Sequence, residues 1–396
     1  MRLISKEVIV PGRDGRPVFP GFISYLSATE PTLIHRYGWV DDSDTYDDFA
    51  DSFSRDNGEA WTEPRMKLQS HEVPEGRVRY AENACFLDSA GGTPTPRGDR
   101  LLTFCSRGFY AHDEIQWDTK FEVTWDIYDP MTVTWRGEEV IAHDLPGGLG
   151  ISFCFPIRLR SGSIIVPAYS VLVDDAGRPL HYQDFPPPLE TALVIRGEVS
   201  ADASVTWKCG EPVYVDGARS SRGFSENAVL ELADGRLVMV LRGDNGAYPE
   251  QAGYKWRCFS ADEGLTWSEP QPLGCSDGSF MESGSNGCAV FRSLTDGQVY
   301  FIGNLAMDGE RANANWPRSP LVIAQVQEEP FAIRPETITV MDRRGPNEPP
   351  LTQMSNFRWY QDRATGEVVV FLSRFGEKDA DNFKIADYYR YRVALE

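Results

Sequence analysis

Hydrophobic and polar positions alternate most clearly between Phe224 and Gly246. Ala228, Leu230 and Leu232 alternate with Val229 and Glu231, a turn follows at Ala233-Asp234-Gly235, and Leu237 to Leu241 form an apolar run. A period of two, a turn and a short apolar run predict two antiparallel strands. Ser225, Glu226 and Asn227 precede the first strand, and Arg242 and Asp244 follow the second. Those ends lie side by side in an antiparallel pair, so a carboxylate and a guanidinium are presented together at one edge.

The pattern repeats. Ser260-Ala-Asp262-Glu-Gly264-Leu-Thr266-Trp267 fits S-x-D-x-G-x-T-W, and Ser54-Arg-Asp56-Asn-Gly58-Glu-Ala-Trp61 is close to it. Ser200 to Trp207 and Tyr128 to Trp135 are more degenerate versions. Their aspartates, 56, 129, 202 and 262, recur at intervals of 73, 73 and 60 residues. Turn glycines 162, 235, 297 and 366 recur at intervals of 73, 62 and 69. A unit of this size fits six times into 396 residues. The expected fold is all-β: one domain over 1–396, a six-bladed β-propeller of four-stranded antiparallel blades, which leaves only short sheet edges. Glu7-Val-Ile-Val and Tyr388-Tyr-Arg-Tyr-Arg-Val are expected to pair and close the ring.

Each unit seats polar residues ahead of its first strand: Glu82, Glu226 with Asn227, Asn286 and Asn356. Four second strands end in arginine close to glycine, at Arg36, Arg107, Arg242 and Arg374. In a propeller these ends share one face and the first strands line the axis. Both series are therefore expected to converge on one mouth as substrate-binding groups. A planar guanidinium fork suits a carboxylate; the alternative for each arginine is a structural pair with a neighbouring acid. Long polar and aromatic loops are expected after the second strands, at 39–51, 109–118, 171–190, 244–255, 304–318 and 375–387.

On its S-x-D-x-G-x-T-W motif the chain resembles the sialidase-like propellers, whose Asp-box, or BNR repeat, is a structural hairpin. The resemblance extends to Glu226 and Arg242, which are 16 positions apart with Leu232-Ala-Asp-Gly-Arg-Leu237 between them. It implies that Glu226 is the glutamate that partners a catalytic tyrosine, and that Arg242 and Arg318 are two arginines of a carboxylate-binding triad. It also places an acid/base aspartate in the run Asp41 to Asp48, with Asp42 and Asp44 as candidates. The family's F-R-I-P motif is absent from the first unit, and Met354 stands near where the tyrosine would be. A thioether cannot attack an anomeric carbon. Tyr360 lies six residues further on, inside a strand.

The remaining chemistry leaves alternatives open. The run at 41–48 reads also as a solvated turn or a Ca2+ site. His112 with Tyr110, and His181 with Tyr182, offer the proton-transfer pairs of a uronate lyase; each histidine reads equally as a surface residue. No H-x-x-x-H zinc signature appears, and no metal or cofactor is expected. A formal net charge of −20 argues against a nucleic-acid partner. No apolar run approaches the roughly 20 residues of a membrane span. Seven cysteines without a C-x-x-C pair read as buried free thiols. With no apolar signal core in the first ten residues, they favour the cytoplasm; a leader already removed would look the same.

The sequence thus supports a glycoside hydrolase acting on a sialic- or uronic-acid-like sugar, with Glu226 and an aspartate of 41–48 as acid and base and water as nucleophile. The alternatives are a polysaccharide lyase and a non-catalytic carbohydrate-binding propeller.

Overall fold

The computed structural model describes residues 1–12, 16–42, 45–74, 76–88, 99–111, 119–379 and 381–395, with backbone alone at 41, 42 and 45. Among them all regular structure is strand, apart from one 3-10 turn at Pro335–Thr337. The alternating stretch is two strands, Ser225–Glu231 and Leu237–Arg242. The second is buried along its whole length because both its faces are covered by other sheets.

Antiparallel four-stranded runs follow one another along the chain. One joins Ile157–Arg158, Ile164–Val171, Glu190–Val199 and Val205–Cys209. The next joins Ser225–Glu231, Leu237–Arg242, Lys255–Ser260 and Gln271–Pro272. A third joins Ala289–Arg292, Val299–Asn304, Leu321–Glu328 and Phe331–Ile333, with Thr339–Asp342 at its side. A fourth holds Arg358–Gln361, Val368–Ser373 and Tyr388–Ala394, and its outer strand is Arg2–Val10 from the other end of the chain. Glu7 pairs with Arg390, as expected from the two ends of the sequence. Residues 18–140 form a ten-stranded sheet whose halves meet at Tyr46 and Tyr80.

The turns carry the repeat. Gly162, Gly235, Gly297 and Gly366 have φ of +98°, +91°, +68° and +75°, a region that only glycine enters without strain. At Asp262, the carboxylate accepts from Ser260 Oγ (2.7 Å), Thr266 N (2.9 Å) and Thr266 Oγ1 (2.6 Å), and Trp267 Nε1 donates to Gly264 O (3.1 Å). Asp56 accepts in the same way from Ser54 Oγ (2.8 Å) and Ala60 N (2.9 Å). The turn at Asp202 keeps part of this wiring: Ser200 Oγ donates to the Asp202 carboxylate and Ala203 takes the left-handed φ that Asn57 and Glu263 take, while Ser204 stands where the glycine would be. The turn at Asp129 departs further, its carboxylate accepting from Met131 N (2.8 Å) and Thr132 N (3.3 Å), with the left-handed φ at Val133.

One expected loop is absent. Residues 39–51 are mostly two paired strands, Leu33–Asp42 and Thr45–Ser54, with Phe49 and Tyr46 buried between sheets. The run of aspartates hid this alternation.

Candidate functional site

A cavity of about 360 Å³ opens where the starts of several first strands meet. Its wall includes Glu82, Glu226, Arg242, Arg318 and Asn356 from the expected set, together with Tyr110, Tyr169, Glu190 and Arg222. Three wall residues, Phe153 (+49°), Glu226 (+47°) and Asn356 (+55°), hold left-handed φ. Non-glycine residues there are strained, and such strain collects at functional sites.

Glu226 sits at a register shift between Ser225 and Ala228. Its Oε1 accepts from Arg242 Nη1 at 2.5 Å, while its Oε2 is buried with no hydrogen-bond partner among the described residues. Arg242 Nε donates to Ser285 Oγ at 2.7 Å. Arg318 Nη1 donates to Gln353 Oε1 (2.8 Å) and Ser355 Oγ (3.2 Å). Arg222 pairs with Glu190 at 3.4 Å. Burial pushes the Tyr169 hydroxyl well above its usual pKa; Glu190, Tyr110 and Glu226 add to this and Arg222 opposes it. Tyr169 is therefore a protonated donor at ordinary pH.

Glu82 is on the wall but fully engaged. It accepts from Arg358 Nη2, Asn83 N (3.1 Å) and Phe153 N (3.0 Å). Burial raises its pKa, while Arg358 and the two backbone N–H groups pull the other way.

Three of the four expected arginines lie outside the cavity; for Arg36 and Arg107 the third strand of the sheet explains why, and for Arg374 acids from outside its own sheet's strands do. Arg36 stands directly opposite Asp51 and is bound by it at 2.7 and 2.9 Å. Arg107 stands opposite Glu122 and is bound at 2.6 Å, beside a separate groove. Arg374 lies one residue past its strand and pairs with Asp342 (2.8 Å), Glu348 (2.8 Å) and Glu377 (2.8 Å). Arg242 alone faces a cation, Lys255, and turns to Glu226.

Asn227 and Asn286 are also corrected to internal roles. Asn227 donates to Leu193 O (3.0 Å), and Asn286 Oδ1 accepts from Lys255 Nζ (3.1 Å). His181 is exposed in the loop after Val171, outside the cavity. Asp44 and His112 lie outside the described residues, as does the side chain of Asp42. Nearby, Asp47 pairs with Arg79 at 3.1 Å and Asp48 with Arg16 at 3.7 Å. Met354 is wholly buried, and Tyr360 packs edge-on against Tyr25, centroids 5.7 Å apart. No three His, Cys, Asp or Glu side chains among the described residues gather as a metal site.

Tyr169 and Arg358 were not anticipated. Tyr169 carried a signal: it lies seven residues after turn glycine Gly162, the offset of Arg242 from Gly235.

A profile described as BNR repeat-like domain matches residues 50–343. No curated protein matches the sequence. Among solved structures, a K499G mutant of NanB sialidase from Streptococcus pneumoniae superposes with TM-score 0.62 at 11% identity, covering 98% of this chain and 70% of that one. The intramolecular trans-sialidase from Ruminococcus gnavus, in complex with oseltamivir carboxylate, gives 0.61 at 13% identity over 100% and 98% of the two chains. The GH93 α-L-arabinofuranosidase of Fusarium graminearum with arabinobiose gives 0.58 at 12% identity over 99% and 98%.

Proposed function

The chain belongs to the BNR repeat-like domain family, and we propose that it is a glycoside hydrolase that holds an acidic sugar in the cavity beside Glu226. The observation that carries this is the state of Glu226. It is strained, fixed on Arg242 through one oxygen, and left with its other oxygen buried and unpartnered. A buried unpaired acceptor costs free energy unless a ligand or water completes it.

In this reading Arg242 and Arg318 take the sugar carboxylate. Glu226 Oε2 accepts the proton of an attacking water, and the protonated Tyr169 hydroxyl donates toward the departing oxygen. The solved structures similar in fold include a sialidase and an arabinofuranosidase, which supports a sugar as substrate. We also read the sheets as six blades closed in a ring. Apolar clusters join each run to the next, and one cluster joins the last run (Val369, Phe371) to the first (Val18, Leu33).

Mass spectrometry of products from sialylated and uronate-terminated oligosaccharides tests the reading. Fragments that together gain one water support it. Fragments summing to the parent mass, one of them unsaturated, would make the chain a lyase. Binding without turnover would make it a carbohydrate-binding protein.

A further inference from the structure

Lys255 is a buried lysine directly opposite buried Arg242 on the neighbouring strand. Like charges in register across a sheet are destabilising. The equivalent cross-strand partners of Arg36 and Arg107 are acids, Asp51 and Glu122. A lysine at this position therefore needs a compensating role.

Its ammonium is spent on one short segment. Nζ donates to Gly284 O (3.3 Å), Asn286 O and Asn286 Oδ1 (3.1 Å). Ser285, between those two residues, supports both cavity arginines. Its Oγ accepts from Arg242 Nε at 2.7 Å, and its N–H donates to Ala314 O at 2.7 Å, at the base of the 315–318 stretch that carries Arg318. A Cβ at Gly284 would come within 2.8 Å of Pro317 O, so the same stretch rests on the Gly284 backbone.

We propose that Lys255 is a positioning residue: it clamps residues 284–286 so that Ser285 and the 314–318 backbone aim Arg242 and Arg318 at one carboxylate. Lys255 touches neither substrate nor reacting atoms. It acts by holding the surface on which both arginines rest. Burial lowers its pKa to about 8; Arg242 and Arg318 add to the fall, and Cys288 and Glu226 oppose it.

The inference rests on the cavity taking an acidic sugar, and the test separates the two. Affinities of N-acetylneuraminate, glucuronate and galacturonate, and of their methyl esters, are measured by titration calorimetry for wild type, Lys255→Met, Ser285→Ala and Arg242→Met. Ser285→Ala removes the link without removing the buried charge, so it remains informative if Lys255→Met does not fold. Hydrogen bonds to charged groups predict roughly tenfold or greater weakening for the acid in both Lys255→Met and Ser285→Ala, with ester binding unchanged in both and a folded Ser285→Ala that melts somewhat below wild type because Arg242 Nε loses its acceptor. A merely structural lysine would lower thermal stability and leave the acid-to-ester affinity ratio intact. If Arg242→Met weakens the acid and the two positioning variants do not, the inference is wrong while the cavity reading stands. If the wild type binds none of the three acids, the cavity reading fails and takes this inference with it.

Discussion

Glu82 and Arg358 form an ion pair across 276 residues of chain, with both side chains almost fully buried. Arg358 also donates to Gly21 O at 2.6 Å, and Glu82 to no one: it accepts from Phe153 N at 3.0 Å. Three distant segments are thus fixed at the cavity wall through one carboxylate and one guanidinium. Removing either partner leaves an uncompensated buried charge, which costs about 3–5 kcal/mol. Arg358→Met is therefore expected to lower stability by that order. Glu82→Gln is expected to destabilise as well. Urea denaturation checks both; an unchanged midpoint for either would show that water, not the partner, stabilises the remaining charge.

Glu226→Gln preserves size and keeps an amide oxygen to accept from Arg242 Nη1, so the fold is expected to hold at some cost in stability, because buried Arg242 loses its counter-charge. If Glu226 is the proposed proton acceptor, the change lowers kcat by roughly 100-fold to 10,000-fold. Initial rates on whichever acidic oligosaccharide the wild type cleaves, with circular dichroism as the control for folding, decide it. Activity within a factor of three of wild type would remove Glu226 from the chemistry.

Tyr169→Phe deletes a hydroxyl that makes no hydrogen bond among the described residues. Stability is expected to stay within about 1 kcal/mol of wild type. Activity is expected to fall because the proton donor is gone, and to fall less on substrates with good leaving groups such as nitrophenyl glycosides, which need little protonation. Equal losses on both substrate types would show that Tyr169 positions the sugar instead.

Much of the repeat was legible because turns obey strict backbone rules. The glycines before the second strands all take positive φ, and the aspartates at 56 and 262 build the same hydrogen-bonded turn. Glu226 and Arg242 were legible because a tight hairpin fixes which residues stand opposite. The arginine series was not. Spacing from a turn says where an arginine sits on its own strand, while its direction depends on the opposite residue of the third strand. That residue is Asp51, Glu122 or Lys255, and each comes from a different stretch of sequence. Arg358 was invisible for a related reason: its partners, Glu82 and the Gly21 carbonyl, are over 270 residues away.

Arg374 offers a structural contrast to Arg242, the arginine proposed to bind the sugar. Its guanidinium is surrounded by Asp342, Glu348 and Glu377 and is itself almost fully buried. Arg374→Met is expected to destabilise by about 3–5 kcal/mol, since Glu348 and Glu377 lose their cation and Asp342 keeps only Lys6 as a cation among the described residues. The affinity of the folded protein for an acidic sugar is expected to be unchanged, whereas Arg242→Met is expected to weaken it. Melting temperatures and calorimetric affinities on the two variants check this together; a weakened affinity in Arg374→Met at full folding would return Arg374 to the binding set.

His35 gives the protein a built-in sensitivity to acid. It is buried among Tyr37, Trp61, Phe371 and Tyr388, and its Nε2 meets the Tyr388 hydroxyl at 2.8 Å. Burial lowers its pKa from 6.5 to about 3. The unfolded chain takes up this proton near 6.5 and the folded chain only near 3, so between these values the unfolded state binds more protons. The folded state keeps its full advantage above about 6.5 and loses it as the pH falls toward 3, by up to about 1.4 kcal/mol per pH unit. Replacing both partners, His35→Phe with Tyr388→Phe, removes the titrating group without stranding a hydroxyl. Urea midpoints measured at pH 7, 5 and 4 are expected to fall less steeply with acid in this double variant than in wild type. Parallel slopes would mean that His35 is already charged in the folded protein, and that the ring of aromatic side chains around it tolerates an imidazolium.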